Sequence, residues 1–254
     1  MPELPEVEAR RTAIEKAFKA SRLTGFDLYK NGIVKHADSR VQKSISGETL
    51  RNVDRRGKYL ILEFTGRLLF TLHFGLFGDM AIAPPEEQLP SVCARFVFSN
   101  RKCLFLLKWA SLWFGRGVEE LEKLGPDPLA TPETFTLDYL SDALAKKKTN
   151  MKQFLMDQSV IAGIGAVYAD EILFKSAILP TKPAKDLSSG DASRLYTTII
   201  KTLKTAVEKT VASGSEDRPF LSLERRKTCP VCGKGIINTR LAGRRTLYCP
   251  SCQH

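Results

Sequence analysis

Residues 229–252 read CPVCGKGIINTRLAGRRTLYCPSC. Two C-x2-C pairs, Cys229 with Cys232 and Cys249 with Cys252, stand 16 residues apart. Two thiolates from each tight turn close a tetrahedron, and this spacing predicts one structural zinc ion per chain. Disulfides are the alternative, and an intracellular setting disfavours them. Between the pairs, apolar residues alternate around a glycine turn, as a two-stranded hairpin requires. That hairpin carries Arg240, Arg244 and Arg245 and no acidic residue. A metal-stapled ribbon with basic tips suits phosphate contact. A solvated hairpin that merely folds around zinc explains any one of these arginines, but poorly all three.

N-terminal to the hairpin the chain reads as helical. ASRLYTTIIKTLKTAVEKTVASG (192–214) is a long amphipathic helix stopped by glycine. LDYLSDALAKKK, MKQFLMDQSVIAG and AVYADEILFKSA are predicted helices, the last two joined at Gly163 and Gly165. Such a turn brings backbone N–H groups to a helix N-terminus, a seat for phosphate. A tight helix–helix corner explains the glycines as well. LGPDPLATPET (124–134) reads as a linker. From residue 23 to 115 short apolar or alternating runs are punctuated by Gly, Asn, Asp and Pro, the pattern of an antiparallel sandwich or barrel. EVEARRTAIEKAFKASRL ahead of it reads as a helix with Val7, Ile14 and Phe18 near one face. The expected fold class is therefore α+β and multidomain: an N-terminal helix plus antiparallel β-sandwich, a helical domain, and a C-terminal zinc-finger β-hairpin.

The 254 residues carry a formal net charge of +11, which points to a polyanionic partner, with nucleic acid the commonest. No apolar run approaches membrane-spanning length, and no signal peptide is evident, so no membrane partner and a cytoplasmic location are expected (nucleoid-associated in a bacterium). Of the six cysteines, Cys93 and Cys103 stand apart in apolar surroundings and read as reduced, structural thiols.

The first residues, MPELPEVE, look like a solvated terminus. Taken in order with RRGKYL (55–60), LGPDPL (124–129), MDQSVIAGIGAVYADEILF (156–174) and RRTLYCPSCQ (244–253), they resemble the formamidopyrimidine-DNA glycosylase/endonuclease VIII family over nearly the whole chain. The resemblance implies a catalytic helix and sandwich over 1–125, a linker over 126–140, a helix–two-turn–helix DNA-binding domain over 141–225 and a zinc finger over 226–254. It implies a monomer acting on DNA with damaged bases or abasic sites, as a bifunctional glycosylase and abasic-site lyase.

In that family the nucleophile is the secondary amine of an N-terminal proline, here Pro2 once Met1 is removed. An α-amino group titrates near pH 8, so neutral amine is available at neutral pH. The resemblance makes Glu3 the proton donor that helps open the sugar ring, with Glu6 one turn on to hold the amine or relay protons. Lys58 matches the lysine beside the lesion phosphate, and Arg244 the arginine that grips the lesion's phosphates. Lys147, Lys152 and His73 match DNA contacts, with solvated charge or a core histidine as the plain alternative. Gly163, Gly165, Tyr168, Arg240 and Arg245 complete the expected DNA face.

The chain departs from the family pattern in three places. Ala166 replaces an asparagine expected at a lesion phosphate, a loss of about 1 kcal/mol. The usual Met–Arg–Phe set that fills the space of the flipped base reads Leu76 at the Met position, and 108–115 is KWASLWFG, without an arginine. Trp109, Leu112, Trp113 and Phe114 are the candidates to wedge instead. The stretch before Cys229 is short, which argues against strict 8-oxoguanine recognition. Two other classes stay open: a retired member that binds damaged or branched DNA without cutting, and an RNA-binding zinc-ribbon protein, which leaves the N-terminus unexplained.

Overall fold

The computed structural model describes residues 1–29, 45–108, 110–114, 119–131, 133–214, 218 and 221–254, and the backbone of 33–35. The chain divides into two compact units: Met1–Pro2 with Glu6–Glu122, and Glu3–Pro5 with Lys123–His254.

In the first unit, α1 (Leu4–Phe18) precedes β1 (Leu23–Leu28), β2 (Ile33–Lys35), β3 (Leu50–Arg56), β4 (Tyr59–Phe64) and β5 (Leu69–His73). β6 (Asp79–Ala83), β7 (Val92–Phe98), β8 (Cys103–Leu107), β9 (Ser111–Phe114) and the short α2 (Glu119–Glu122) follow. Two sheets form, in the orders β1-β7-β8-β6 and β2-β9-β5-β4-β3. Period-two alternation aims Leu60, Leu62 and Phe64 of β4 inward, where they meet Phe70, Phe96 and Phe98 in one core shared by both sheets. Val7, Ile14 and Phe18 of α1 join that core, and Phe18 stacks on Phe98 at 4.2 Å. One pairing differs from the all-antiparallel expectation: β2 runs parallel to β9. Parallel neighbours need a long crossover, and here most of the sandwich lies between the two strands in sequence.

In the second unit, α3 (Leu137–Lys146) is capped by Thr136 and α4 (Met151–Met156) by Asn150. α5 (Ala166–Lys175) and α6 (Ser189–Ser213) follow. α6 opens on a Ser188–Asp191 capping box and closes on Gly214 at φ 62°. Phe135, Leu140, Phe154, Tyr168, Ile172, Leu195, Ile199 and Leu203 build the core. The stretch expected as a linker, 126–140, contributes Phe135 and Leu140 to it, both fully buried. The helix expected over 151–163 ends at Met156. Asp157 stops it by turning its carboxylate onto the N–H and hydroxyl of Ser159. Gln158 then ties the turn, donating to the carbonyls of Met156 and Ile164 and accepting from the Gly163 N–H. These turns separate α4 from α5.

β10 (Ile237–Leu241) and β11 (Arg244–Tyr248) pair antiparallel across Ala242-Gly243. Both turn residues have positive φ, at 48° and 74°, the mark of a type I′ turn.

Candidate functional site

The N-terminus is built into the fold. The Leu4 N–H donates to the Gly163 carbonyl at 3.0 Å. The Glu3 carboxylate accepts from the N–H groups of Gly165 (2.6 Å), Val167 (3.0 Å) and Tyr168 (3.3 Å), the open N-terminus of α5. Such a terminus is an anion seat by its orphan donors and its dipole. The anion it holds is Glu3, and the Gly163 N–H is taken by Gln158, which corrects the expectation that the two glycines present amides to phosphate. The glycines serve the close approach itself. A Cβ at Gly165 would lie 2.4 Å from the Glu3 carboxyl carbon, and one at Gly163 (φ 103°) 2.7 Å from Leu4.

One turn further along α5, Asp170 makes two bonds. Its Oδ1 accepts from Lys152 Nζ at 2.5 Å, and its Oδ2 from the Leu247 N–H of β11 at 3.0 Å. Lys152 Nζ also donates to the Ala166 carbonyl. Lys152 is 0% exposed, so it is no DNA contact: it fastens α4 to α5. Burial lowers its pKa against the pull of Asp170, and burial pushes Asp170 up to about 6 against the pull of Lys152. Tyr168, expected on the DNA face, is fully buried in the core. Lys147 stays at the surface, paired with Asp157 at 2.9 Å. Glu171 accepts from the Ser222 N–H and hydroxyl, drawing in the stretch before the cysteines between buried Leu221 and Leu223.

The four sulfurs of Cys229, Cys232, Cys249 and Cys252 lie within 4.8 Å of one another. The Cys229–Cys252 and Cys232–Cys249 separations are 3.8 and 3.5 Å. Tetrahedral zinc with Zn–S bonds of about 2.3 Å needs sulfurs about 3.8 Å apart, so the donor set fits. Against desolvation, backbone N–H groups of Cys232 and Val231 bring Cys229 down to about 7, whereas hydrogen bonding to Cys232 and burial push Cys252 up to about 12. The Cys249 N–H donates to Gln253, whose amide donates to the Ile178 carbonyl beyond α5. The hairpin is thus docked at the middle of α5, through Asp170, and just beyond its C-terminal end, at Ile178.

Family models for the formamidopyrimidine-DNA glycosylase N-terminal domain and H2TH domain match residues 1–107 and 124–217. The chain belongs to the formamidopyrimidine-DNA glycosylase/endonuclease VIII family. It is 32% identical to the formamidopyrimidine-DNA glycosylase of Neisseria meningitidis over 281 aligned positions, covering 100% of both proteins. The Desulforamulus reducens enzyme is 30% identical, covering 100% of this chain and 99% of its own. Among solved structures, Lactococcus lactis formamidopyrimidine-DNA glycosylase in complex with DNA containing N7-benzyl-Fapy-dG superposes with a TM-score of 0.91 at 26% identity, covering 99% of each chain. The same enzyme non-covalently bound to DNA with an abasic site gives 0.90 at 27% identity and the same coverage.

Within the first unit of this family member, Pro2 and Glu6 are both buried. Lys58 sits in the two-residue turn joining β3 to β4, unusually buried for a hairpin tip at 7% exposed. Next to it, Tyr59 packs on the His73 ring at 4.7 Å. His73 Nδ1 accepts from the Gly75 N–H at 3.2 Å, which leaves Nε2 as the ring's other polar atom.

The expected wedge residues are corrected. Leu112 and Trp113 are buried, and Phe114 packs against Phe70 and Phe26 in the sandwich, so none can enter DNA. Trp109 lies outside the described residues. Leu76 is 59% exposed, and so is its neighbour Phe77, at 66%. Sequence reasoning missed Phe77, although two large apolar residues between Gly75 and Gly78 were the signal.

On the hairpin, register places Arg240 opposite Arg245 and Arg244 opposite Leu241. Arg240 and Arg245 therefore share one face of the ribbon, and Arg244 projects from the other. Arg245 pairs with Glu224, whereas Arg240 and Arg244 are exposed and make no ion pair among the described residues.

Proposed function

We propose that the chain is a base-excision DNA glycosylase and abasic-site lyase that works through Pro2. The observation that carries this reading is the fit of Glu3 into the α5 N-terminus across two obligatory glycines. A disordered or merely protective terminus has no use for three oriented amides and sub-3 Å clearances.

With Met1 removed, the Pro2 nitrogen attacks C1′ of the damaged nucleotide, and the N–C1′ bond forms as the bond to the base breaks. Glu3 delivers a proton that helps open the sugar ring, fixed for that task by its three N–H donors. The resulting iminium acidifies C2′. Loss of a C2′ proton expels the 3′ phosphate by β-elimination, and a second elimination expels the 5′ phosphate. Glu6 takes and returns the amine proton. Lys58 and Arg244 hold the flanking phosphates, with His73, Lys147, Arg240 and Arg245 along the DNA backbone. Leu76 and Phe77 enter the stack where the nucleotide leaves, offsetting the unstacking cost. Cys229, Cys232, Cys249 and Cys252 hold one zinc ion, whose contribution is to fold the ribbon that aims Arg244. With no long segment before Cys229 to cover a flipped purine, the substrate class is oxidised pyrimidines, ring-opened or bulky adducts and abasic sites.

Borohydride reduction on abasic DNA tests the reading. The protein with a free Pro2 amine is trapped as a covalent adduct, and protein in which Met1 or an N-terminal extension acylates the Pro2 nitrogen is not. Trapping that survives the acylation removes Pro2 from its role.

A further inference from the structure

Apart from His73, the turn that carries Leu76 and Phe77 is held by residues with no part in the chemistry above. It spans five residues between β5 and β6 and is wound tightly: the Gly78 N–H donates to the Phe74 carbonyl at 2.6 Å. A Cβ at Gly78 would sit 2.2 Å from that carbonyl oxygen and 2.9 Å from the Ala110 Cα, so the turn closes only with glycine there. Arg10 of α1 grips the base of the turn from below. Its guanidinium carbon lies 4.0 Å from the centroid of the Phe74 ring, and its Nη2 donates to Asp79 Oδ1 at 3.0 Å. Asp79 in turn takes the Met80 N–H at 2.9 Å and faces Lys108 at 3.6 Å. On the other side the Gly75 N–H is bound by His73. Arg10 is 7% exposed and stands one turn after Glu6 on the same face of α1.

We infer that Arg10 is a positioning residue: its stack on Phe74 and its bond to Asp79 hold the Leu76–Phe77 turn stiff against α1, so that the wedge enters DNA in register with the helix that follows the Pro2 amine. The inference rests on the reading of Leu76 and Phe77 as the wedge. A side chain that replaces a stacked nucleotide works against the duplex's tendency to restack, and a turn free to fold back would yield to it. Arginine suits the post because one planar group serves the ring face and the carboxylate together.

The test uses the full chain with a free Pro2 amine and an abasic site placed either in duplex or in single-stranded DNA. Wedge insertion is read from 2-aminopurine fluorescence opposite a tetrahydrofuran residue. Arg10→Met is expected to lower duplex incision about tenfold, the loss of one cation–π contact and one charged hydrogen bond, and to suppress the fluorescence rise. Borohydride trapping on single-stranded abasic DNA, which needs no wedge, changes less than about twofold. Asp79→Asn, at a half-exposed position, shows the same split more weakly, and Arg10→Lys restores little. Normal duplex incision and fluorescence in Arg10→Met overturn the inference while a defective Phe77→Ala still upholds the wedge. A Phe77→Ala variant with normal fluorescence overturns the wedge reading itself. An equal loss on both substrates in Arg10→Met and Asp79→Asn alike means general misfolding and also contradicts the inference.

Discussion

Lys152 shows how a residue's burial decides its role. A lysine in a basic stretch ahead of a glycine turn invites a phosphate contact, yet this one is sealed in with Asp170. Removing one member of a buried pair leaves an uncompensated charge, so Lys152→Met is expected to cost about 3–5 kcal/mol of stability. The cost depends on pH. Asp170 has a folded pKa of about 6, above its ordinary 3.8, so its contribution is favourable below pH ~4 and lost as pH rises through 6. Without Lys152 the raising effect of burial acts unopposed. The deficit of the variant, measured by denaturant unfolding, is therefore larger at pH 7.5 than at pH 5. An equal deficit at both would mean that Asp170 is not charged at neutral pH. Arg10, Gln158 and Asp170 were illegible in the sequence for one reason: each acts through a partner that only the fold brings near. The cluster of four cysteines was legible because its spacing is the signal, whereas Pro2 and Glu3 stood out only through the family resemblance.

Among the elements, the C-terminal hairpin between the cysteine pairs was read most fully in advance. Strand alternation and the cysteine spacing foretold the ribbon, but not that Arg240 and Arg245 share a face, which follows from register. Its turn puts Ala242 at φ 48°, a conformation that costs a non-glycine residue about 1 kcal/mol. Ala242→Asn or Ala242→Gly is expected to raise the melting temperature of the zinc-loaded protein by a few degrees. A fall would show that the alanine methyl makes a compensating contact. Removing zinc should have the opposite effect. A chelator that strips a bound ion is expected to unfold β10 and β11, since the cysteines flank a ribbon that over 237–248 buries only Thr246 and Leu247. Hydrogen exchange would show Leu247 losing protection while the α6 core keeps it. The α4 helix was read too long because Asp157, Gln158 and Ser159 have no helical defect on paper. The side chains of Asp157 and Gln158 bind the local backbone instead and turn it, and the Ser159 hydroxyl donates to the Asp157 carboxylate.

For the whole molecule, the order of motifs along the chain announced the family, and both sheets and the helical core bear out the expected fold class. What the sequence could not convey is the division of labour within MPELPEVE: Glu3–Pro5 belong with the helical unit, while Pro2 and Glu6 belong with the sandwich. The net charge of +11 adds a long-range attraction to DNA that weakens with salt, and Arg240→Ala or Arg244→Ala should each reduce the salt slope of binding by about one unit. The central claim concerns one nitrogen atom. Borohydride-reduced adducts with abasic DNA, digested and mapped by mass spectrometry, place the crosslink. The account predicts it on the peptide beginning at Pro2, and no adduct in protein that retains Met1 or an N-terminal extension. An adduct on Lys58 or any other lysine, or equal trapping with the extension in place, would contradict it.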